Sequence, residues 1–118
     1  MEPTELPKAS SEPRTIVISD DHFGFANMEA WLNIIRSYQA KHPGHQVHLS
    51  YDGEEIRNLK YMFKMERPVK PMGFQCYIST GDGNLKDVPK LVRLLVEGAG
   101  PNHATFLTRE LNRVLDLF

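Results

Sequence analysis

The chain has 118 residues, of which 41% are hydrophobic and 25% are charged, and its formal net charge is −1. This length is enough for one domain with a buried core and too short for two ordinary domains. The small net charge excludes a general electrostatic attraction to nucleic acid or to an anionic membrane surface, so we expect neither as a partner. No apolar run approaches the roughly 18 residues of a membrane span.

The N-terminal residues and the single cysteine bear on the cellular compartment. Residues 1–13 are rich in Pro, Glu and Ser and contain no apolar core. We predict a disordered N-terminal tail there, and no secretion signal. Cys76 has no second cysteine with which to form an internal disulfide, and it lies in an apolar, strand-like run. It is predicted to pack as a small core residue. These features predict a cytoplasmic protein.

The first elements in chain order are a strand and a helix. Thr15–Ser19 is β-branched and predicts a strand. Apolar residues then recur at helical spacing from Met28 to Tyr38, and Asn27 is the predicted N-cap of that helix. Pro43-Gly44 ends it.

The middle of the chain predicts a hairpin followed by a short helix. His45–Tyr51 alternates apolar and polar residues, which is typical of a half-buried strand. Asp52-Gly53 is a strong hairpin signal, and the return strand is predicted over Glu54–Arg57. Asn58 is placed to cap a short helix that contains Met62.

The last third predicts one more strand and two helices. Phe74–Ser79 alternates apolar and polar residues again. Asp87 is the predicted cap of a helix over Val88–Val96, whose proline falls in the first turn, where its missing N–H costs nothing. The apolar spacing of Asn102–Phe118 predicts an amphipathic C-terminal helix.

The predicted order is therefore β-α-β-β-α-β-α-α. The alternation in two of the last three strands is typical of an antiparallel sheet with one face in water. The helices must then lie together on the apolar face. We predict an α+β, open-faced two-layer sandwich, in which a four-stranded antiparallel sheet carries helices on one face. The domain is predicted over residues 14–100, and residues 101–118 form an extra C-terminal helix packed on the domain or on a partner.

Two stretches carry a resemblance to a known family. Val47–Met65 (VHLSYDGEEIRNLKYMFKM) and Gly73–Gly98 (GFQCYISTGDGNLKDVPKLVRLLVEG) resemble the second half of HPr, the histidine-containing phosphocarrier of the bacterial sugar phosphotransferase system. That family has the order β-α-β-β-α-β-α, with three helices over one face of a four-stranded antiparallel sheet. The similarity covers roughly residues 15 to 98. It rests on element order, the hairpin glycine, the YMFKM helix and the TGDG turn.

The family's phosphoacceptor motif, Gly-Leu-His-x-Arg-Pro-Ala, matches Gly24–Ala30 only in part. The histidine position holds Ala26, the arginine position holds Met28, and the proline position holds Glu29. Alanine has no ring nitrogen to accept a phosphoryl group, and a carboxylate would repel one. The resemblance therefore implies an HPr-like protein that has lost phosphotransfer and acts as a protein-binding or regulatory module.

The resemblance also implies where a protein partner would dock. In the family, partners contact the face formed by the first two helices and their loops. The corresponding positions here are Phe25, Met28, Met62, Phe63 and Met65. Methionine and phenylalanine suit an adaptable binding surface. Neither a cofactor nor a metal is expected.

Two alternatives stay open. His22, in the same loop as the motif, is a candidate displaced phosphoacceptor, which would make the protein an active phosphocarrier. The run Asp20-Asp21-His22 also spells the D-x-H of metallophosphoesterases, but the chain is too short for that fold and its helix order differs. The second alternative is a structural module that forms a homodimer through Asn102–Phe118. The sequence contains no complete enzyme active site.

Overall fold

The computed structural model describes residues 9–10, 14–18, 24–51, 54–56, 72–80, 85–110 and 113–118. These residues form one antiparallel sheet, two α-helices and a short 3-10 helix. The elements in chain order are β1 (Ala9–Ser10), β2 (Arg14–Ile18), α1 (Phe25–Lys41), β3 (His45–Tyr51), β4 (Glu54–Ile56), β5 (Met72–Thr80), α2 (Val88–Gly98) and the 3-10 helix (Pro101–Phe106).

The longest strand, β5, lies inside the sheet and pairs on both of its edges. On one edge β3 pairs with it antiparallel, with His45 opposite Thr80 and Tyr51 opposite Phe74. On the other edge β2 pairs with its first half and β1 with its end. β4 extends the sheet beyond β3. The strands β2 and β3 follow each other in the sequence but are not neighbours in the sheet, because β5 lies between them.

The apolar residues of the alternating strands face the two helices. The buried side chains of this inner face are Ile16, Leu49, Phe74, Cys76 and Ile78. A strand has a side-chain period of two, so the intervening polar residues must lie on the opposite face. The predicted α+β class and the antiparallel sheet are confirmed, and both described helices pack on the apolar face as a second layer.

The helical layer packs through a few large side chains. Trp31, Ile34 and Tyr38 of α1 are fully buried, and the Trp31 indole Nε1–H donates to the Leu95 carbonyl of α2 at 2.7 Å. A Cβ placed on Gly98 would lie 3.0 Å from Ile34 Cδ1. The glycine therefore permits the close approach of α1 and α2. Neither described helix is long and apolar enough to cross a membrane.

One N-terminal expectation differs from the structure. Ala9 and Ser10, inside the predicted disordered tail, form a strand that pairs with Thr80 and Ser79. The edge of β5 supplies backbone hydrogen-bond partners to these two residues, and the disordered tail over residues 1–13 otherwise stays a prediction. The return strand is described over Glu54–Ile56, and Arg57 and the predicted short helix after it lie outside the described residues.

The predicted C-terminal helix over Asn102–Phe118 is wrong. Only Pro101–Phe106 is helical, as a 3-10 helix, and the described residues after it are not in a helix. Phe106 is buried, and Leu117 and Phe118 pack against the domain's own core, whereas Val114 is 49% exposed. The helical stripe through which a homodimer was predicted is not formed in the described residues, and the homodimer itself stays a prediction.

Candidate functional site on the outer face of the sheet

The face of the sheet opposite the helices carries polar side chains. They alternate with the core residues, and they are Gln46, His48 and Ser50 on β3 and Gln75, Tyr77 and Ser79 on β5. At the edge of this face, the Gln75 amide donates to Thr15 Oγ1 at 2.9 Å. The outer face is thus a hydrogen-bonding surface rather than an apolar one.

His48 is the centre of a short hydrogen-bond chain on this face. Its Nδ1 lies 2.7 Å from Glu55 Oε1, and its Nε2 lies 2.7 Å from Ser79 Oγ. A carboxylate can only accept, so Nδ1–H donates to Glu55. In the neutral ring Nε2 then has a free lone pair, and the Ser79 hydroxyl donates to it.

The register of three strands brings these side chains together. The hairpin pairs Ser50 with Glu55, so the carboxylate lies diagonally across from His48 on the same face. On the other side, Gln46 pairs with Ser79, which places the serine hydroxyl on the second diagonal. Diagonal neighbours on one face of a sheet are within reach of long side chains.

Tyr77 stacks on the face of the His48 imidazole. It lies directly opposite His48 in the sheet, and the two rings stack with centroids 4.5 Å apart and planes 11° apart. The His48 side chain is only 16% exposed, whereas Glu55 is 48% exposed. The ring is therefore fixed by two hydrogen bonds and one stacking contact, and water screens the carboxylate that orients it.

The order serine–histidine–carboxylate is the order in which a histidine base activates a serine hydroxyl. Acyl-transfer enzymes also need free N–H groups aimed at the developing oxyanion. Around Ser79, β5 pairs with β1 on one edge and with β3 on the other. The backbone N–H groups of this part of β5 therefore donate hydrogen bonds within the sheet. The arrangement can polarise a hydroxyl, but β5 supplies no oxyanion pocket. Among the described residues, no group of three His, Cys, Asp or Glu side chains could hold a metal ion.

Most of the site residues expected from the sequence cannot be compared with the structure. His22, Met62, Phe63 and Met65 lie outside the described residues. Phe25 and Met28 lie in the first turn of α1, where Met28 is half-buried and packs against the core. The partner-binding face therefore stays a prediction, and the structure places two of its five positions on one helical turn.

The N-terminus of α1 is occupied by the chain's own groups. α1 begins at Phe25 with Gly24 as its N-cap, so Asn27 is not the cap as predicted, but the third helical residue. Its Oδ1 accepts the Gly24 N–H at 3.0 Å, and its Nδ2 donates to the Gly98 carbonyl at 2.9 Å and the Gly100 carbonyl at 3.2 Å. Asn27 thereby ties the start of α1 to the end of α2.

A second group of polar side chains lies at the other end of α1. His42 Nε2 is 2.8 Å from Asp87 Oδ2, and the Tyr38 hydroxyl donates to the Lys86 carbonyl at 2.6 Å. Burial, and then the nearby charge of Asp87, raise the pKa of Tyr38 to about 12. His45 is buried beside them, and both its ring nitrogens lack a hydrogen-bond partner among the described residues.

Cys76 is buried on the inner face of the sheet, which confirms the prediction of a core residue. Burial raises the pKa of its thiol to about 12. A thiolate is the reactive form of cysteine, so this thiol is inert at neutral pH.

The Ser79–His48–Glu55 chain is the arrangement that sequence reasoning missed. The alternation pattern had already placed His48 and Ser79 on the outer face. The hairpin register was not used in the prediction. A two-residue Asp52-Gly53 loop would set that register, and the register places Glu55 next to His48. Which of the two edges of β5 meets β3 depends on the tertiary structure, and so does the contact with Ser79.

Comparison with known proteins gives a family. The chain is 34% identical over 112 residues to an uncharacterized protein of Treponema pallidum (strain Nichols). The match covers 95% of this chain and 32% of that protein, so the chain spans about a third of its relative's length. No solved structure matches the chain. A family profile described as "Uncharacterised Treponema protein C-terminal domain" matches residues 8–105. The chain belongs to this family of Treponema C-terminal domains.

Proposed function

We propose that this domain is a protein-binding or regulatory module on an HPr-like scaffold and that it does not carry a phosphoryl group. An antiparallel sheet with helices on one face is compatible with that scaffold. The described elements from β2 to α2 also follow the order expected of an HPr-like scaffold. The helix predicted between β4 and β5 lies outside the described residues. The proposal includes a cytoplasmic location, which a single buried thiol favours.

The occupied N-terminus of α1 is the observation that carries this proposal. A phosphorylated side chain at a helix N-terminus is stabilised by free backbone N–H groups and a neighbouring cation. Here the Asn27 side chain takes the Gly24 N–H, and the carbonyl oxygens of Gly98 and Gly100 lie beside it. Glu29, the fifth residue of α1, is exposed. The groups at this position disfavour an anion.

The proposed partner is a protein surface within a longer polypeptide. The Treponema pallidum relative is about three times as long as the matching region, and the family's name places such domains at a C-terminus. In such a polypeptide the region that precedes the domain is present at high effective concentration. A modest affinity between that region and the domain is then sufficient for them to bind each other. The docking face is proposed to include Phe25 and Met28, together with Met62, Phe63 and Met65.

A phosphorylation assay tests the loss of phosphotransfer. The domain is incubated with the general phosphotransfer enzyme and labelled phosphoenolpyruvate, with an authentic HPr as the positive control. We expect HPr to be labelled and this domain to remain unlabelled. Label that maps to His22 and disappears in His22→Ala would overturn the proposal in favour of an active phosphocarrier.

A binding assay tests the module function. The region that precedes the domain in the Treponema pallidum relative is titrated with this domain by calorimetry. We expect binding that weakens at least about tenfold in Phe25→Ala/Met28→Ala, because apolar anchors dominate such interfaces. The exposed α2 variant Arg93→Ala is the matched control and should bind as the wild type does. Absence of binding, or equal affinity of both variants, contradicts this docking face.

A further inference from the structure

We propose that Ser79 is an activated nucleophile that accepts an acyl group from a reactive ester, with His48 as its general base and Glu55 as the positioning residue. This inference does not rest on the proposed module function, because it uses the outer face of the sheet and none of the residues at the start of α1. It makes Ser79 a covalent modification site.

The hydrogen-bond geometry supports the proton transfer. Ser79 Oγ is 2.7 Å from His48 Nε2, within the range at which a positioned base can take a proton directly. The 2.7 Å contact between Nδ1 and Glu55 selects the tautomer with a free lone pair on Nε2 and stabilises the imidazolium that forms. All the parts of a base-activated hydroxyl are thus present in one chain of contacts.

The base is held in place by regular structure. Glu55, His48 and Ser79 come from three adjacent strands, so their backbones are fixed by the ladders of the sheet. Stacking on Tyr77 restricts rotation of the imidazole. Groups placed on strands and supported by neighbours lose little entropy when they react. Ser79 is also partly exposed, so that a reagent in solution can reach its hydroxyl.

The step is a simple acyl transfer. Ser79 Oγ attacks the carbonyl carbon of the ester while its proton passes to His48 Nε2. The bond from the carbonyl carbon to the leaving oxygen breaks, and that oxygen departs with the electron pair and takes the proton from Nε2. The products are acylated Ser79, the free alcohol or phenol, and neutral His48.

The paired edges of β5 set a limit on this chemistry. Removal of the acyl group by water requires a second oxyanion, which the strand N–H groups around Ser79 are not free to stabilise. The reaction should therefore stop after one turnover. The substrate class is an ester with a good leaving group, since a poor one needs oxyanion contacts that the strand N–H groups around Ser79 do not supply.

The test uses p-nitrophenyl acetate with the intact chain. We expect release of one equivalent of p-nitrophenolate and a single acetyl group that mass spectrometry maps to Ser79. Ser50, on the same face of the sheet, is the internal control and should stay unmodified. Protein unfolded in urea should lose the selectivity for Ser79.

Three variants separate a nucleophile from a structural contact. Ser79→Ala should abolish the modification, and His48→Gln should slow it by about 100-fold or more, which is the usual contribution of a general base. Glu55→Gln keeps a hydrogen-bond acceptor for Nδ1 and should slow it by about tenfold. The pH–rate profile of His48→Gln should differ from that of the wild type, because the variant lacks the imidazole that takes the proton.

Two outcomes overturn the proposal. One is acetylation of folded Ser79 at the same rate as in urea. The other is a pH–rate profile that His48→Gln leaves unchanged. Melting curves show whether each variant is folded. A fluorophosphonate probe gives a second measurement of the same hydroxyl, and in the wild type this probe should react at Ser79 only.

Discussion

Three polar side chains on the buried side of α1 each bond to the backbone between Gly98 and Leu117. Asn27 donates to the Gly98 carbonyl, Asn33 Nδ2 donates to the Phe106 carbonyl at 2.8 Å, and Ser37 Oγ accepts the Leu117 N–H at 3.0 Å. All three are buried. Buried backbone groups outside regular structure need such partners, so these residues fix the path of the segment.

Asn33→Ala is expected to destabilise the domain. It leaves the Phe106 carbonyl without its bond from Asn33 in a buried position, which costs about 1–3 kcal/mol of unfolding free energy. Urea unfolding followed by Trp31 fluorescence measures the loss. Arg36→Ala, an exposed position on the same helix, is the control and should stay within about 0.5 kcal/mol of the wild type. Equal stability of the two variants would contradict a structural role for Asn33.

Cys76 is expected to be unreactive in the folded protein. Burial raises the pKa of its thiol to about 12, so the thiolate fraction at pH 8 is negligible, and the sulfur is also shielded from reagent. A thiol-specific chromogenic reagent should react fully in urea and at least about 100-fold more slowly in buffer. An added surface cysteine, Arg93→Cys, shows that the reagent is active. Rapid stoichiometric labelling of native Cys76 would count against the buried position.

At the scale of elements, the C-terminal segment behaves as part of the domain. The 3-10 helix Pro101–Phe106 contacts α1, and Phe106, Leu117 and Phe118 pack against the core. The Phe118 ring packs edge-on against Tyr38, with centroids 5.2 Å apart. This segment covers apolar surface that the two-layer sandwich would otherwise expose to water.

Truncation after Gly100 is expected to lower the melting temperature markedly. Burial of Phe106 alone contributes about 1.5–3 kcal/mol, which is a large share of a typical stability of about 5–15 kcal/mol. The full-length chain should have a monomer mass in light scattering, since the apolar side chains contact their own domain. Val114→Ala, at an exposed position, should leave the melting temperature unchanged. A truncated chain with an unchanged melting temperature would make the segment dispensable.

At the scale of the whole molecule, two buried groups make stability depend on alkaline pH. The pKa of Cys76 rises from 9.0 and that of Tyr38 from 10.0, each to about 12, because burial disfavours their charged forms. Both groups are neutral when protonated, so the folded state binds these protons more tightly than the unfolded state. Their contribution is fully present below about pH 9 and is lost as the pH rises toward 12.

The domain is therefore expected to lose stability steadily above pH 9. Urea unfolding at intervals from pH 7 to pH 11 measures the slope. The free energy of unfolding of Cys76→Ala should decline less steeply with pH, since only the Tyr38 contribution remains. The Tyr38→Phe variant tests the contribution of Tyr38 in the same way. A stability that is constant across this range would contradict the alkaline dependence.

Local sequence determined the elements whose residue pattern is regular. The alternation in His45–Tyr51 and Phe74–Ser79 predicted two antiparallel strands with one polar face, because the strand period of two leaves no other arrangement. Asp87 and the following proline likewise marked the start of α2. Cys76 was predicted to be buried from its apolar neighbours. In each case the signal lies within about ten residues of chain.

Tertiary structure decided the features that depend on contacts between distant segments. The apolar spacing of Asn102–Phe118 predicts a helix, but Asn33 and Ser37 of α1 bond to its backbone and Phe106 enters the core, which favours an irregular path. Asp87 has a positive φ of 57° and turns its carboxylate to His42 instead of capping α2. The Ser79–His48–Glu55 chain exists because β5 lies beside β3, and strand order is set by packing of the whole sheet rather than by any local pattern.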